Sequence, residues 1–175
     1  MNIQATLQHY GITSIWHFTD MSNLESIKKY GVLSLRNLIY NRIDVSCYGA
    51  NELSHQLDMS KGLDQFVHLS FIKEHPMQYV KTRNREIPNP VWLEIDAAVL
   101  FKQRSVFSDK VANKNGAKIY GNIHDLAKYI DLDVLWSRTD WRDPKIQQRR
   151  KNAKYGEIMI QDKIEIKDIV GVYRG

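Results

Sequence analysis

His17 and Thr19 stand two residues apart in Ser14-Ile15-Trp16-His17-Phe18-Thr19, a run whose Ile, Trp, Phe and Thr favour a pleated surface. In a strand, period 2 puts both side chains on one face, where each offers a hydrogen bond to the same ligand. Ser22-Asn23-Leu24-Glu25 follows and fits a capping box, with Ser at the cap and Glu three residues later. The helix start it predicts would set free N–H groups and a positive dipole end beside the strand. Such a place suits a ligand carrying an amide or a phosphate. Far along the chain, Glu157 heads the apolar run Ile158-Met159-Ile160. A carboxylate there is unusual unless it faces a cleft. The ordinary alternatives are a strand-edge glutamate paired with a lysine and a structural histidine at a strand end.

Several other chemistries lose ground. The chain has no G-x-G-x-x-G, no G-x-x-x-x-G-K-[ST], no G-x-S-x-G and no H-E-x-x-H. Its six histidines, at 9, 17, 55, 68, 75 and 124, show no metal-ligand spacing, and no metal is expected. Cys47 is the single cysteine, which excludes an internal disulfide and a cysteine-based zinc cluster. The longest apolar runs fall far short of a membrane span, and no basic segment followed by an apolar one opens the chain. A cytoplasmic protein without membrane contact is the expectation.

The elements that must position these residues can be read coarsely. A helix over the first ten residues should end at Gly11. The capped helix after the His17 strand should end at Gly31, with Val32-Leu33-Ser34 leading out. Residues 35–62 read as irregular. Phe66–Phe71 and Val91–Asp96 alternate as strands, with a short helix from Glu74 to Lys81 between them. A turn-rich stretch, a helix near Asn122–Tyr129, a strand from Glu157 and a last strand over Ile169–Tyr173 complete the chain. Strands and helices do not alternate regularly, so the fold class is α+β, one domain over residues 1–175 with mixed or antiparallel sheets and short helices.

Charge adds a second clue. The net charge is +5, and residues 138–154 alone carry seven basic side chains against Asp140 and Asp143. The rest of the chain is balanced, with 18 basic and 18 acidic residues outside that segment. A localised basic surface is the footprint expected for a phosphate backbone, and a solvated basic helix is the plain alternative.

Taken in order, four motifs resemble the DarT family of DNA ADP-ribosyltransferases, within the wider ADP-ribosyltransferase fold. His17, Thr19, Asn23, Leu24, Ile27, Gly31, Leu33 and Ser34 match its N-terminal signature. Phe66–Phe71 with Pro76-Met77-x-Tyr79 resembles its aromatic strand and the helix beyond. Phe107-Ser108-Asp109-x-x-Ala112 is similar to its Phe-Thr-Asp-Gly-x-Ala turn, and Arg149-Arg150-Lys151 leading to Glu157 resembles the basic run before its catalytic strand. In many members Lys-Gln-Ala runs directly into that glutamate, whereas here Lys154-Tyr155-Gly156 intervenes after Lys151-Asn152-Ala153.

The resemblance implies NAD as co-substrate and transfer of ADP-ribose to a nucleobase in single-stranded DNA. It implies Glu157 as the catalytic carboxylate, since positive charge grows on the ribose as nicotinamide leaves. A catalytic arginine is implied between the Gly-x-Leu-Ser step and the aromatic strand, with Arg42 the first candidate and Arg36 the second. His17, Phe18, Thr19, Asn23 and Leu33 would form the NAD site, with Phe71 and Tyr79 stacking at the nicotinamide end or packing in the core. Arg142, Lys145, Arg149, Arg150 and Lys154 would hold the nucleic acid, with Trp136 and Trp141 available to stack bases. The family's usual counterpart is a macrodomain antitoxin. RNA as target, a binding module with an inactive NAD site, and a protein-modifying transferase remain alternatives at this level.

Overall fold

The computed structural model describes residues 2–48 and 52–175. Nine strands are assigned among them: β1 (Ser14–Asp20), β2 (Val32–Leu33), β3 (Phe66–Ser70), β4 (Pro90–Asp96), β5 (Ser105–Ser108), β6 (Ile119–Tyr120), β7 (Glu157–Gln161), β8 (Lys163–Ile164) and β9 (Ile169–Arg174). The helices are α1 (Ile3–Tyr10), α2 (Leu24–Tyr30), α3 (Leu35–Tyr40), α4 (Glu52–Ser60), α5 (Pro76–Arg83), α6 (Val99–Lys102), α7 (Leu126–Tyr129), α8 (Asp133–Trp136) and α9 (Pro144–Ala153). Seven strands form one sheet in the order β6-β5-β7-β3-β1-β4-β9, and β2 pairs with β8. Every pairing is antiparallel, as expected for an α+β chain with no regular alternation of strand and helix. None of the described helices is long and apolar enough to cross a membrane.

The centre of the sheet decides where a ligand can go. β1 runs alongside β4 for its whole length, Ser14↔Asp96 to Asp20↔Pro90. On its other side β1 meets β3 at one pair only, Trp16↔Ser70. Past that bridge the two strands part, and His17 Nδ1 lies 2.9 Å from the His68 carbonyl oxygen where a ladder bond would otherwise run. The sheet is thus split between β6-β5-β7-β3 and β1-β4-β9, and the split opens a cleft.

β7 packs on both faces. Ile158 and Ile160 enter the main core with Ile15, Leu69, Leu93, Ile95 and Phe107, all at most 3% exposed. Met159 joins Leu63, Phe66, Val106 and Ala112 in a smaller cluster on the opposite face. By period 2, Glu157 shares the face of Met159, away from the main core.

The structure departs from the sequence expectations in several places. Ser22 does not cap α2. The Asp20 carboxylate accepts from Ser22 N–H and Oγ–H and from Asn89 N–H, which winds Met21–Asn23 into a 3-10 turn before α2 begins. The segment read as irregular holds α3 and α4. Ser34 caps α3 by accepting from Asn37 N–H, and Arg36 fastens it with a two-point bond to Asp64. Residues read as turn-rich include β5, whose four residues are all buried.

Gly31 ends α2 at φ +80 and ψ −172, a conformation that only glycine adopts readily, and a Cβ there would drive into the Ile164 carbonyl oxygen of β8. Gly11 also has positive φ, +63, but nothing lies within 4 Å of the place a Cβ would occupy. Gly31→Ala should therefore cost about 2–4 kcal/mol through backbone strain plus overpacking, and Gly11→Ala only about 1 kcal/mol. Equal losses in denaturant unfolding of the two variants would contradict the β2–β8 approach described here.

Candidate active site

The cleft is walled by β1, α2, β2, α3, the segment through Cys47, α4 and β3, with Glu157 at one end. His17, Phe18, Thr19, Asn23 and Leu33 all line it. Of the residues the sequence assigns to NAD, those five are brought together and two are not. Phe71 is 2% exposed in the main core, with its ring edge-on to Trp136 at 6.1 Å, because β3 ends one residue earlier and the chain turns inward. Tyr79 lies on the outer face of α5 and is 68% exposed. Neither lines the cleft.

The His17 ring has a defined orientation. A carbonyl oxygen only accepts, so Nδ1 carries the proton toward His68 and Nε2 is left as an acceptor. Burial pulls its pKa below the ordinary histidine value, and the His68 carbonyl only partly opposes that. The ring is neutral near pH 7.

Asn23 has a different place from the one its motif suggests. It is 6% exposed. Its Nδ2 donates to Thr19 Oγ1 at 3.0 Å and to the Cys47 carbonyl at 2.6 Å, and its Oδ1 accepts from Cys47 N–H at 3.1 Å. The amide thus clips the Cys47 segment to β1 and fixes the Thr19 hydroxyl. It shapes the cleft wall, and the sequence reading missed this because the partner lies 24 residues away.

Glu157 is 8% exposed. Its Oε2 accepts from Ala112 N–H at 3.0 Å and faces His68 Nδ1 at 3.2 Å, while His75 Nε2 stands 3.8 Å from Oε1. Burial alone would raise its pKa. The hydrogen bond and field of His68, the field of His75 and the Ala112 N–H outweigh burial, and the carboxyl is held below its usual range. Asp58 of α4 also lines the cleft, and burial pushes its pKa up. Among the described residues no group of three or more His, Cys, Asp or Glu is arranged to hold a metal ion.

Arg42 sits exposed in a left-handed turn after α3, at φ +52, and does not line the cleft. Arg36 is held by Asp64. No arginine lines the cleft among the described residues.

The basic segment is α9 and its approach, with Asp143 as N-cap and Pro144 in the first turn. Arg149 makes a two-point bond to Asp131, Arg150 reaches the Val134 carbonyl and Glu74, and Lys154 also pairs with Glu74. These three fasten α9 to α8 and to the loop before α5. Arg142 and Lys145 are exposed and have no ion pair among the described residues. The Arg142 guanidinium lies 5.6 Å from the ring centroid of Trp141, which is 69% exposed. Trp136 packs against the core instead.

The family model described as "DarT: ssDNA thymidine ADP-ribosyltransferase, DarT" matches residues 16–174. No curated protein matches. Among solved structures, Thermus sp. 2.9 DarT in complex with ADP-ribosylated ssDNA superposes with TM-score 0.68 at 17% identity, over 91% of this chain and 80% of that one. Its complex with NAD+ gives TM-score 0.63 at 18% identity over the same shares. Thermosipho africanus DarTG in complex with ADP-ribose gives TM-score 0.72 at 17% identity, over 94% of this chain and 44% of that one. At these identities the structural likeness establishes the fold.

The Asn23 clip makes a stability prediction. Asn23→Ala leaves the Cys47 N–H and carbonyl without their side-chain partners and should cost about 1–3 kcal/mol. Hydrogen exchange at the Cys47 amide should accelerate more than at β7 amides. Unchanged stability with a loss of ligand affinity alone would instead make Asn23 a ligand contact.

Proposed function

The chain belongs to the DarT family of ssDNA thymidine ADP-ribosyltransferases, and from that premise we propose that its cleft binds NAD and joins ADP-ribose to thymidine in single-stranded DNA. The bond between ribose C1′ and the nicotinamide nitrogen breaks, and nicotinamide leaves as a neutral molecule with the bonding pair. A new bond forms from C1′ to the thymine, whose one ring N–H gives up its proton. The observation that carries the reading is Glu157, a buried, ionised carboxylate at the end of a cleft that also holds His17 and Thr19.

The proposed roles follow from the local chemistry. Growing positive charge on the ribose is stabilised by a fixed carboxylate in a place shielded from water. The lowered pKa of Glu157 suits that electrostatic role better than proton uptake, so the thymine proton passes to water. His17 accepts a ribose hydroxyl proton at Nε2, which its bond to His68 leaves as the acceptor. The Thr19 hydroxyl, the Phe18 main chain beside the strand split, and Leu33 form the rest of the NAD wall. Arg42 is left out of the catalytic set because it stands outside the cleft.

Single-stranded DNA supplies an unstacked base, which chemistry at a ring nitrogen needs. Exposed Trp141, with Arg142 against its ring, offers a stacking face with charge beside it. Lys145 extends this surface. Arg149, Arg150 and Lys154 serve mainly to hold α9 in place. The Thermosipho africanus neighbour is a DarTG, and we infer for this chain a macrodomain-type antitoxin that removes the modification.

Two outcomes are expected. Glu157→Gln should lose about 10²–10³-fold in transfer rate with NAD affinity retained, measured by single-turnover kinetics and calorimetry. A rate close to the parent's would remove Glu157 from catalysis. Trp141→Ala with Arg142→Ala should weaken DNA binding and flatten its salt dependence by a slope of about 0.7 for the lost phosphate contact, with NAD hydrolysis by water unchanged. If binding and salt slope stay at the parent's values, the strand runs elsewhere.

A further inference from the structure

Glu157 is not held by backbone alone. His68 on β3 is opposite Met159, two residues along from Glu157, and so is its diagonal cross-strand neighbour on one face. A carboxylate only accepts, so the His68 Nδ1 within 3.2 Å of Oε2 must carry its proton. With Ala112 N–H on the same oxygen, Oε2 is committed to the protein, and Oε1, which has no hydrogen bond among the described residues but stands 3.8 Å from His75 Nε2, is the oxygen that faces a substrate. On the far side of the ring, His68 Nε2 and Asp58 Oδ1 are both sealed from solvent, and neither meets a partner with good hydrogen-bond geometry among the described residues. Each lies within the electrostatic field of the other, with the Leu63 main chain also acting on the His68 ring and the Asn113 side chain on Asp58.

We propose that His68 is a positioning residue for Glu157, backed by Asp58, so that the three side chains act as one array in the transfer reaction. This rests on the catalytic reading of Glu157. Glutamate has three side-chain torsions, and a displacement of 1 Å at a reacting centre can cost about 10²-fold in rate. Two donors on Oε2 remove that freedom.

Charge explains Asp58. Burial disfavours a charged His68, but the bond and charge of Glu157, the charge of Asp58 and the Leu63 carbonyl together push its pKa above the ordinary value. The groups facing it from other elements are Glu157 on β7, Asp58 on α4, His17 on β1 and His75 before α5. Burial lowers the pKa of both other histidines, so each takes up charge less readily than an ordinary histidine. With His68 protonated and both Glu157 and Asp58 ionised, the three side chains keep one net negative charge, which a growing oxocarbenium requires. With Asp58 made neutral, His68 would cancel Glu157.

The test uses the full chain, NAD and a thymidine-containing single-stranded oligonucleotide. His68→Leu should lower kcat about 100-fold while KM for NAD changes by less than about threefold. His68→Asn places an N–H near the Nδ1 position and should recover most of that loss. In Asp58→Asn, kcat relative to the parent should rise with pH, as His68 loses its proton and the pair returns from neutral to one negative charge. Adding His68→Asn to Asp58→Asn should abolish that rise. The proposal is overturned if His68→Leu stays within about threefold of the parent, or if His68→Asn is as impaired as His68→Leu. A flat Asp58→Asn ratio overturns the charge argument even where the His68 variants fold poorly. Glu157→Gln separates the two levels: if it is inactive while His68→Leu is normal, only the array fails, and if it is active, the catalytic reading fails as well.

Discussion

An ionised carboxylate that is 8% exposed at the head of β7 is the constraint around which the cleft is arranged. Desolvation opposes charge there, and the charge persists because two donors, Ala112 N–H and His68, converge on it and the field of His75 adds to them. Ala112 reaches Glu157 only because the chain after β5 turns back over the Met159 cluster. His68 reaches it only because β3 pairs with β7 from Phe66↔Gln161 to Ser70↔Glu157. A slip of one residue in that register would turn Glu157 toward the main core and His68 away from it. The packing of Ile158 and Ile160 on one face and Met159 on the other is therefore what places the chemistry.

The second organising feature is the parting of β1 from β3 after Trp16↔Ser70. A continuous ladder would close the space a dinucleotide needs. His17 spans the gap with its ring, which fixes its own proton on Nδ1 and binds the two half-sheets at the cleft floor. Asn23 holds the opposite wall by clipping the Cys47 segment to β1. Basic charge is similarly divided between structure and surface. Much of the charge on α9 is spent on Asp131 and Glu74, and what faces outward is concentrated near Trp141 and Arg142.

How much of this could be read in the sequence depends on the range of the interactions. β1 and β7 were legible because strongly patterned strands carry His17, Thr19 and Glu157, and α1 because Gly11 marks its end. α3 and α4 were not, since α3 is only six residues long and is fastened by Arg36 meeting Asp64, 28 residues away, and α4 is largely polar. The order of motifs placed Phe71 and Tyr79 near the NAD site, but order does not say which way a side chain turns, and one went to the core and the other to solvent. Arg149 and Arg150 read as free charge because their partners, Asp131, the Val134 carbonyl of α8 and Glu74, come from elsewhere in the chain. His68 passed unassigned because the residue it serves is 89 positions away.

The most direct test of the account is mass spectrometry of single-stranded oligonucleotides incubated with the protein and NAD. One oligonucleotide contains thymidine, a second has every thymidine replaced, and an RNA of matching sequence is the third. The account predicts a gain of one ADP-ribose on the thymidine-containing DNA, release of nicotinamide in equal amount, and no adduct on the other two. NAD turnover with no adduct on any strand, or an adduct on the thymidine-free DNA, would contradict it.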